Sequence, residues 1–475
     1  MRQATRTMLV VVALLALAGP AAAQVDTSKY VAVGDSLTAG YASGALAQLY
    51  QEHSFPAILA HQFDMPGTFQ QPLVSNPGFG GAAGVGYLEL KKLSVVGGSV
   101  VPTLTPKPGQ GMPLNATLVG PYNNLGIPGA KTNDLLTKKG DIMRLATGQS
   151  TAATLMYDLV LRDNANEAYK QAIGAQGTFY TVWIGNNDVL GAALSGVALD
   201  GVTLTPKADF QTQYTTLLGA IRQMRPSAGI VVLNVPDVTT VPFVTTVKPY
   251  VFTPQGQKLY LIGEAGQLTD GDYLTLSASA LIAQGYGLSP QKPLPEGSID
   301  QTGLHAGVIL RAAEVAAIKA RTAEINGIIA AVAQGVGAKM FDFNALFTDI
   351  GAHGYIVGGI RLTSSFLTGG LFSYDGVHAQ TLGYAVIANE LVKFINEQFG
   401  SEIPEVQLRD YLLSAQSVTS VQAADTVFSL EAFESLLGVL VPEAKTAHLH
   451  PARVVRPQVN REIPEHDAMV EIATP

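Results

Sequence analysis

The chain has 475 residues, of which 47% are hydrophobic and 14% charged, so it can bury a large core in one elaborated domain or in several. A formal net charge of −8 without any marked basic run argues against a nucleic-acid-binding protein, since clustered Lys and Arg supply that affinity. The chain contains no cysteine, which excludes disulfides, zinc–thiolate sites, a lipoprotein anchor and thiol catalysis.

The first 23 residues have the pattern of a secretory signal peptide. Arg2 and Arg6 precede an apolar run, and Ala21-Ala22-Ala23 forms a small-residue cleavage site before Gln24. The apolar run is shorter than the roughly 20 residues that a membrane span needs, although an uncleaved anchor is the alternative. We therefore expect an exported protein, periplasmic or extracellular, that has no stable membrane span once residues 1–23 are removed.

Short apolar stretches then alternate with longer helical patterns, which favours a parallel sheet covered by helices on both faces. The predicted strands lie at residues 30–33, 118–123, 178–184, 229–234 and 339–343. The predicted helices lie at residues 45–62 (broken or kinked at Pro56), 132–146, 208–224, 308–333 and 381–398. The fold class that follows is α/β, a three-layer α/β/α sandwich whose central parallel sheet has about five strands.

Two stretches, about 72–113 and 238–303, are longer than the connections of such a sandwich require. Loops of this length are often functional lids or small added subdomains, and plain surface packing is the alternative. After about residue 400 the composition changes. Residues 429–441 fit a short helix, whereas residues 442–475 are polar and irregular. We predict a main domain at 24–400 and a partly flexible C-terminal extension at 401–475.

The tetrapeptide Gly34-Asp35-Ser36-Leu37 follows the first predicted strand. It places a serine hydroxyl at the edge of the sheet where ligands bind in open α/β proteins. Serine alone is a weak nucleophile, so acyl transfer also requires a base, a group that orients the base, and donors for the tetrahedral oxyanion.

Candidates for these roles follow later strands. In Asp375-Gly376-Val377-His378 one turn can bring the carboxylate to the imidazole Nδ1, which leaves Nε2 free to face a serine. In Gly185-Asn186-Asn187-Asp188 an Asn amide can donate to an oxyanion, and the amide of Gly129 is another possible donor. Each motif also has an ordinary interpretation, because Asp-Gly, Asn-Asp and Pro-Gly sequences are common in turns.

Taken together, the four motifs resemble the GDSL family of the SGNH hydrolase superfamily. The first motif is Gly34-Asp35-Ser36-Leu37-Thr38-Ala39-Gly40-Tyr41, the second is at Gly129, the third is Gly185-x-Asn187-Asp188, and the fourth is Asp375-x-x-His378. They occur in the family's order over about residues 30–398. Leu37 and Thr38 follow the serine, unlike the Gly-x-Ser-x-Gly elbow of α/β-hydrolases. The resemblance therefore implies the flavodoxin-like SGNH sandwich.

The resemblance also implies a role for each matching residue. Ser36 is expected to be the nucleophile, His378 the base and then the acid, and Asp375 the orienting carboxylate. The expected oxyanion hole consists of the backbone amides of Ser36 and Gly129 and the side-chain amide of Asn187. The implied activity is hydrolysis of carboxylic esters through an acyl-serine intermediate, without a metal or an organic cofactor.

The substrate is predicted less closely than the chemistry. The family includes lipases, esterases, thioesterases, lysophospholipases and carbohydrate deacetylases, and the motifs do not separate them. The apolar, Gly-rich first insertion favours a small-molecule or lipid ester with an acyl chain. A carbohydrate O-deacetylase on the same fold and a non-catalytic exported binding protein are the alternatives. The sequence does not predict an oligomeric state.

Two other patterns are set aside. Gly78-Phe79-Gly80-Gly81-Ala82-Ala83 has the composition of a dinucleotide loop, but a stretch containing Pro72 and Pro77 precedes it in place of a clean strand. His448, His450 and His466 lie in the C-terminal extension, where surface histidines are commoner than metal ligands. Neither a nucleotide site nor a metal site is predicted.

Overall fold

The computed structural model describes residues 24–65, 67–81, 84–96, 99–414 and 427–450. The predicted signal peptide at residues 1–23 lies outside these ranges. Residues 415–426 and 451–475 of the predicted C-terminal extension also lie outside them. Among the helices that the structure describes, none combines the length and the apolar character that crossing a membrane requires.

Five parallel strands form the central sheet. They are β1 (Tyr30–Gly34), β2 (Asn124–Gly126), β3 (Phe179–Trp183), β4 (Gly229–Leu233) and β5 (Lys339–Phe341), in the spatial order β5-β4-β3-β1-β2. In this order β1 lies between β3 and β2, with Gly34 opposite both Trp183 and Gly126. The carboxyl ends of these three strands therefore meet at one edge of the sheet.

Helices cover both faces of this sheet. The side chains of β1 alternate, so that Val31 and Val33 belong to one core cluster, and Tyr30 and Ala32 to a second one. The helices Lys207–Met224 and Ala312–Gly335 contribute to the first cluster, and Phe55–Gln62 and Thr381–Phe399 to the second. The predicted three-layer α/β/α sandwich with about five parallel strands is confirmed.

The other α-helices of the described ranges have 11 residues or fewer. They are Ser36–Ala39, Gln48–Gln51, Asp134–Thr137, Ile142–Ala146, Leu155–Leu161, Ala168–Gly174, Asn187–Ser195, Pro242–Thr245, Ala278–Ile282, Phe343–His353 and Leu430–Leu440. Within the part of the chain that the structure describes, 3₁₀ helices lie at Val238–Thr240, Leu408–Ser414 and Ala447–Leu449.

The strand predicted at residues 118–123 is wrong, because β2 begins only at Asn124. Val119 is 96% exposed, so the apolar pair Leu118-Val119 does not belong to a buried strand. Pro121 lacks the N–H group that a strand inside a sheet donates. The short segment that does pair with β1 contains Asn and Gly, which carry little strand signal.

Two long predicted helices are interrupted. In residues 45–62 the break precedes Pro56, because Ser54 caps a new helix, Phe55–Gln62, whose first turn accommodates the proline. In residues 132–146 the chain forms Asp134–Thr137 and Ile142–Ala146, and Asp141 caps the second of these. Local capping therefore overrides a continuous apolar pattern.

The two insertions form small β elements beside the sandwich. In the first, Val85–Val96 pairs antiparallel with Ser99–Pro108. Val427–Phe428 pairs in parallel with Ser99–Pro108 and so forms the third strand of this sheet. The other two-stranded pairs are Ala45–Leu46 with Phe79–Gly80, Tyr250–Phe252 with Lys258–Tyr260, Ile262–Gly263 with Gly266–Gln267, Tyr273–Leu274 with Ile309–Leu310, Ser298–Asp300 with Gly303–His305, and Tyr355–Val357 with Ile360–Leu362.

The C-terminal helix Leu430–Leu440 packs between the insertions. The ring of Phe433 stacks on Phe243 of the second insertion at 6.0 Å, and Ser435 Oγ accepts a hydrogen bond from the amide of Gly81 in the first. This helix and the strand Val427–Phe428 therefore contribute to the folded body, within the part of the extension that the structure describes.

Candidate active site

Ser36, His378 and Asp375 form a hydrogen-bonded chain at the carboxyl end of the sheet. His378 Nδ1 lies 2.9 Å from Asp375 Oδ2, and His378 Nε2 lies 2.8 Å from Ser36 Oγ. An ionised carboxylate only accepts hydrogen bonds, so Nδ1 carries the proton and donates it. Nε2 is then the acceptor for the serine hydroxyl. This arrangement lets a serine lose its proton to the imidazole as it attacks an electrophile.

Asp375 is held in place by backbone amides on both of its oxygens. Oδ1 accepts hydrogen bonds from the amides of Val377 and His378, and Oδ2 accepts one from the amide of Gly44. Burial acts to raise the pKa of Asp375, but the attraction to His378 and these hydrogen bonds outweigh it, so the pKa lies below its usual value. The carboxylate therefore stays ionised and can stabilise a positive charge on the imidazole.

The local sequence explains why Ser36 lies at the sheet edge. Asp35 caps the one-turn helix Ser36–Ala39, since its Oδ1 accepts a hydrogen bond from the amide of Leu37 at 3.1 Å. At Gly34 a Cβ atom would lie 2.2 Å from Thr38 Oγ1 and 2.3 Å from the carbonyl oxygen of Trp183. Only glycine lets this turn close tightly against β3.

Asn187 and Gly129 belong to the loops that follow the neighbouring strands. Asn187 Nδ2 donates to the carbonyl oxygen of Ala130 at 3.0 Å, which ties the side-chain amide to the residue after Gly129. One hydrogen of Nδ2 is used in this way, so the second can reach another acceptor. Asn187 begins the helix Asn187–Ser195 and is buried.

Asp188 fastens the same two loops together. Its Oδ2 accepts hydrogen bonds from the amide and the hydroxyl of Thr132, at 3.0 and 2.9 Å, and its Oδ1 accepts one from the hydroxyl of Thr205. Burial raises the pKa of Asp188 above its usual value, although the hydrogen bonds from Thr205 and Thr132 oppose that change. The residue lies inside the motif that the sequence analysis singled out, and its role in the structure is to anchor a loop.

Gly129 is in contact with the C-terminal helix. Its φ angle is +81°, and a Cβ atom at this position would lie 2.1 Å from the carbonyl oxygen of Val439. Both the positive φ and the close approach of Val439 require glycine here. The C-terminal extension therefore forms one side of the loop that carries Gly129.

The centre is closely packed and almost excluded from solvent. Ser36 is 3% exposed and His378 is 1% exposed. The ring of Tyr41 lies 4.8 Å from the imidazole ring, tilted by 57°, and the Tyr41 hydroxyl donates to the carbonyl oxygen of Gly44. The amide of Gly44 donates to Asp375, which is the partner of His378 Nδ1. Tyr41 therefore packs against the imidazole ring and also bonds to the residue that holds the carboxylate.

An apolar pocket lies beside this centre. Its walls include Leu37, Val377 and Ala379, which are the chain neighbours of Ser36 and His378. Phe343, Phe347 and Ile350 of the helix Phe343–His353 also line it. The cavity volume is about 70 Å³. Its lining is almost wholly apolar, so the pocket suits a small apolar group such as a short alkyl chain.

All five predicted site residues lie at the same edge of the sheet. The structure joins Ser36, His378 and Asp375 directly, and it places Asn187 next to the Gly129 loop. The motifs did not predict two contacts. One is the 2.8 Å hydrogen bond from Asn186 Nδ2 to Asp35 Oδ2, and the other is the packing of Tyr41 against His378. Both lie within the quoted motifs, but a motif does not say which side chains touch.

Several solved structures resemble the chain at low sequence identity. A lipase/acylhydrolase from Enterococcus faecalis is 13% identical over 78% of this chain and 95% of its own, with a TM-score of 0.31. Phospholipase A1 from Streptomyces albidoflavus is 15% identical over 75% and 94%, with a TM-score of 0.28. A family 3 carbohydrate esterase from Clostridium thermocellum is 14% identical over 79% and 98%, with a TM-score of 0.29.

No curated protein sequence is similar enough to the chain to count as a match. The sequence profile described as GDSL-like Lipase/Acylhydrolase, in contrast, matches residues 30–391. This match extends over most of the chain and includes Ser36, Gly129, Asn187, Asp375 and His378. It also begins at the first residue of β1 and ends within the helix Thr381–Phe399, so it contains the whole central sheet. The chain therefore belongs to the GDSL-like lipase/acylhydrolase family.

Proposed function

We propose that this protein hydrolyses carboxylic esters through an acyl-serine intermediate. The observation that carries the proposal is the hydrogen-bonded chain from Ser36 Oγ through His378 to Asp375, with separations of 2.8 and 2.9 Å. Nucleophilic catalysis by serine needs this arrangement of nucleophile, base and orienting group. Membership of a lipase/acylhydrolase family favours an ester over other acyl compounds.

In the acylation step Ser36 Oγ attacks the ester carbonyl carbon while its proton passes to His378 Nε2. Asp375 stabilises the imidazolium that results, because it accepts the Nδ1 proton in a hydrogen bond. When the tetrahedral intermediate collapses, Nε2 returns the proton to the oxygen of the departing alcohol. A water molecule then loses a proton to Nε2 as it attacks the acyl-serine. When this second intermediate collapses, Nε2 returns the proton to Ser36 Oγ and the acid leaves.

The negative charge that develops on the carbonyl oxygen needs hydrogen-bond donors. We assign this role to the backbone amides of Ser36 and Gly129 and to Asn187 Nδ2. The bond from Asn187 to the carbonyl of Ala130 supports this assignment, since it fixes the amide and leaves one hydrogen of Nδ2 available. Donors that are already oriented stabilise the transition state without reorganisation during the reaction.

For the substrate, we propose an ester with a short apolar group, in preference to a carbohydrate acetate. The pocket beside Leu37, Val377 and Ala379 supports this choice, since its lining is almost wholly apolar and its cavity of about 70 Å³ is small. A sugar would require hydrogen-bond partners in its binding site, because burying a hydroxyl group without one is costly. A preference for an acetylated sugar would instead favour a carbohydrate O-deacetylase.

A substrate series tests both parts of this proposal. The purified protein is assayed on p-nitrophenyl esters from acetate to palmitate, with an acetylated polysaccharide alongside, and Ser36→Ala serves as the matched inactive variant. We expect kcat/KM to be highest for short or medium acyl chains and activity to be lost in Ser36→Ala. A marked preference for the polysaccharide would overturn the proposed substrate, and wild-type rates in Ser36→Ala would overturn the proposed mechanism.

Export is a separate part of the proposal. It is supported by the basic, apolar and small-residue pattern of residues 1–23, which lie outside the described ranges. Expression of the full chain in a bacterial host, followed by fractionation and N-terminal sequencing, should give a mature protein that begins at Gln24. A protein that stays in the cytoplasm with its N-terminus intact would contradict export.

A further inference from the structure

We propose that Asp35 and Asn186 form a positioning pair, which holds the turn of the proposed nucleophile Ser36 at a fixed distance from the proposed oxyanion donor Asn187. This inference rests on the proposed function. It adds a role for two residues that do not themselves contact the substrate. Asn186 occupies the variable position of Gly185-x-Asn187-Asp188, so the motif alone does not specify the pair.

The geometry places one carboxylate between two loops. Asp35 is fully buried, and its Oδ1 accepts a hydrogen bond from the amide of Leu37 at 3.1 Å. Its Oδ2 accepts a bond from Asn186 Nδ2 at 2.8 Å. Ser36 is the residue after Asp35, and Asn187 is the residue after Asn186. The carboxylate therefore connects the two loops at points one residue away from each proposed reacting group.

The backbone alone does not set this distance. Strands β1 and β3 are paired up to Gly34 and Trp183, and the chain then leaves the sheet on both sides. Ser36 begins the helix Ser36–Ala39, and Asn187 begins the helix Asn187–Ser195. The pair spans this point of divergence, where β-sheet hydrogen bonds no longer fix the separation of the two loops.

Asn186 depends on Asp35 for its orientation. Its side chain is buried, and within the described part of the chain Oδ1 of Asn186 has no hydrogen-bond partner. The bond to Asp35 is thus the polar contact that fixes this amide. Above about pH 7 the carboxyl of Asp35 is ionised, and hydrogen bonds to an ionised group are stronger than neutral ones, so Asp35 is suited to this task.

A simple helix cap is the competing explanation for Asp35, and Asn186→Ala separates the two. The substitution removes the bond across the loops but leaves the cap on Leu37 intact. We expect kcat for a p-nitrophenyl ester to fall about 10- to 100-fold, as expected for small displacements of reacting groups. KM should change little, and the thermal midpoint should fall, because the buried carboxyl of Asp35 loses a partner.

The chain offers a matched control in Asn234 and Asp342. Asp342 caps the helix Phe343–His353, and its Oδ1 accepts a bond from Asn234 Nδ2 at 2.7 Å, so an Asn amide again donates to a capping Asp. Asn234 Oδ1 also accepts a bond from the amide of Asn344, so Asn234→Ala loses at least as many hydrogen bonds as Asn186→Ala. This pair follows β4 and β5 and has no chain neighbour among the proposed catalytic residues. Asn234→Ala should lower the thermal midpoint and leave kcat close to the wild-type value.

An exchanged pair provides the rescue experiment. Asn186→Asp alone sets two carboxylates against each other. Asp35→Asn alone is milder, because the Asn186 side chain can turn its unpartnered Oδ1 towards the new amide. In the double variant Asn at position 35 can donate to Asp at position 186, while its Oδ1 still caps Leu37. We expect the double variant to have a higher kcat than Asn186→Asp.

Each outcome of this set of variants is decisive. If Asn186→Ala keeps the wild-type kcat, or if Asn234→Ala loses as much kcat as Asn186→Ala does, the positioning role is wrong. If the exchanged double variant is no better than Asn186→Asp, the direct bond is not what matters, and the proposal fails. Failure of the proposed function looks different, because Ser36→Ala would then retain the wild-type rate.

Discussion

Ser36 Oγ and His378 Nε2 lie 2.8 Å apart, although 342 positions separate the two residues in the chain. The contact depends on the position of β1 between β3 and β2 and on the turn that precedes the helix Thr381–Phe399. It supports the first prediction. Ser36→Ala or His378→Ala should reduce kcat by about 10³–10⁶-fold with little change in stability, because each removes one member of a unit that acts together.

The measurement for this prediction is steady-state hydrolysis of a p-nitrophenyl ester, with a fluorophosphonate probe as a second readout. The probe should label the wild-type protein at Ser36 and should not label Ser36→Ala. His53→Ala is a suitable control, since this partly buried imidazole contacts the carbonyl of Leu49 and the ring of Tyr411, outside the Ser36–His378–Asp375 chain. Probe labelling at a different serine would show that the assigned nucleophile is wrong.

Asn187→Ala should lower kcat by about 10²–10³-fold while KM changes little. The amide is expected to donate mainly to the charge that develops in the transition state, so its removal affects the rate more than substrate binding. Exposed Asn166→Ala, which loses a bond to Asp163 at the surface, is the control. A rise in KM at constant kcat would instead mean that Asn187 binds the ground state.

Gly129→Ala should impair both activity and folding, because two separate constraints act on this residue. A side chain is strained at φ +81°, and its Cβ would lie 2.1 Å from the carbonyl oxygen of Val439. Gly201→Ala separates the two effects, since Gly201 has φ +76° but a Cβ atom there would have no heavy atom within 4 Å. We expect a small loss of thermal stability for Gly201→Ala and a larger loss, with lower kcat, for Gly129→Ala. Equal effects would show that the contact with Val439 is unimportant.

Asp35 should make the free energy of unfolding depend on pH. Burial raises the pKa of Asp35 from 3.8 to about 7, although hydrogen bonds from Asn186 and Leu37 and the attraction to His378 oppose it, and Asp188 adds repulsion. Between these two values the folded chain binds a proton that the unfolded chain lacks. The stabilisation that this proton provides is therefore fully present below about pH 4 and is lost as the pH rises through about 7. Its size is about a few kcal/mol at most.

Urea unfolding of the wild type and Asp35→Asn at pH 5 and pH 8 measures this effect. The decrease in the free energy of unfolding from pH 5 to pH 8 should be larger in the wild type, since Asn at position 35 does not titrate. Titration of the other groups contributes to both proteins and cancels in the comparison. An equal decrease in both would mean that Asp35 is ionised throughout this range.

Phe347→Ala should shift the preferred chain length upwards. Phe347 lines the apolar pocket, so its truncation enlarges a cavity of about 70 Å³. The ratio of kcat/KM for the hexanoate ester to that for the acetate ester should increase. Phe252→Ala, which removes a phenylalanine that is 65% exposed in the second insertion, should leave the ratio unchanged. If Phe347→Ala also leaves it unchanged, the pocket does not bind the substrate.

The sequence predicted the sheet and the proposed site residues for different physical reasons. Strands β1, β3 and β4 are continuous apolar runs, which a buried parallel sheet requires. The site residues lie in turns directly after strands, where the type and spacing of residues constrain the chemistry. Strand β2 was misplaced because Asn124-Leu125-Gly126 has almost no strand signal, and its position is set by pairing with β1.

Contacts between distant segments could not be predicted in the same way. The bond from Asn186 to Asp35 depends on side-chain rotamers, and the stacking of Phe433 on Phe243 depends on how an insertion folds. No local pattern in residues 429–441 indicates that Val439 lies against Gly129. Such contacts follow from tertiary packing, which periodicity along the chain does not contain.

The position of Val439 has a consequence for shortened versions of this protein. The profile match ends at residue 391, yet the loop that carries Gly129 is braced by a helix that begins only at Leu430. A chain cut after the helix Thr381–Phe399 keeps Ser36, Asp375 and His378 but loses this brace. A minimal domain drawn at the limits of the family profile should therefore be less active than the longer chain.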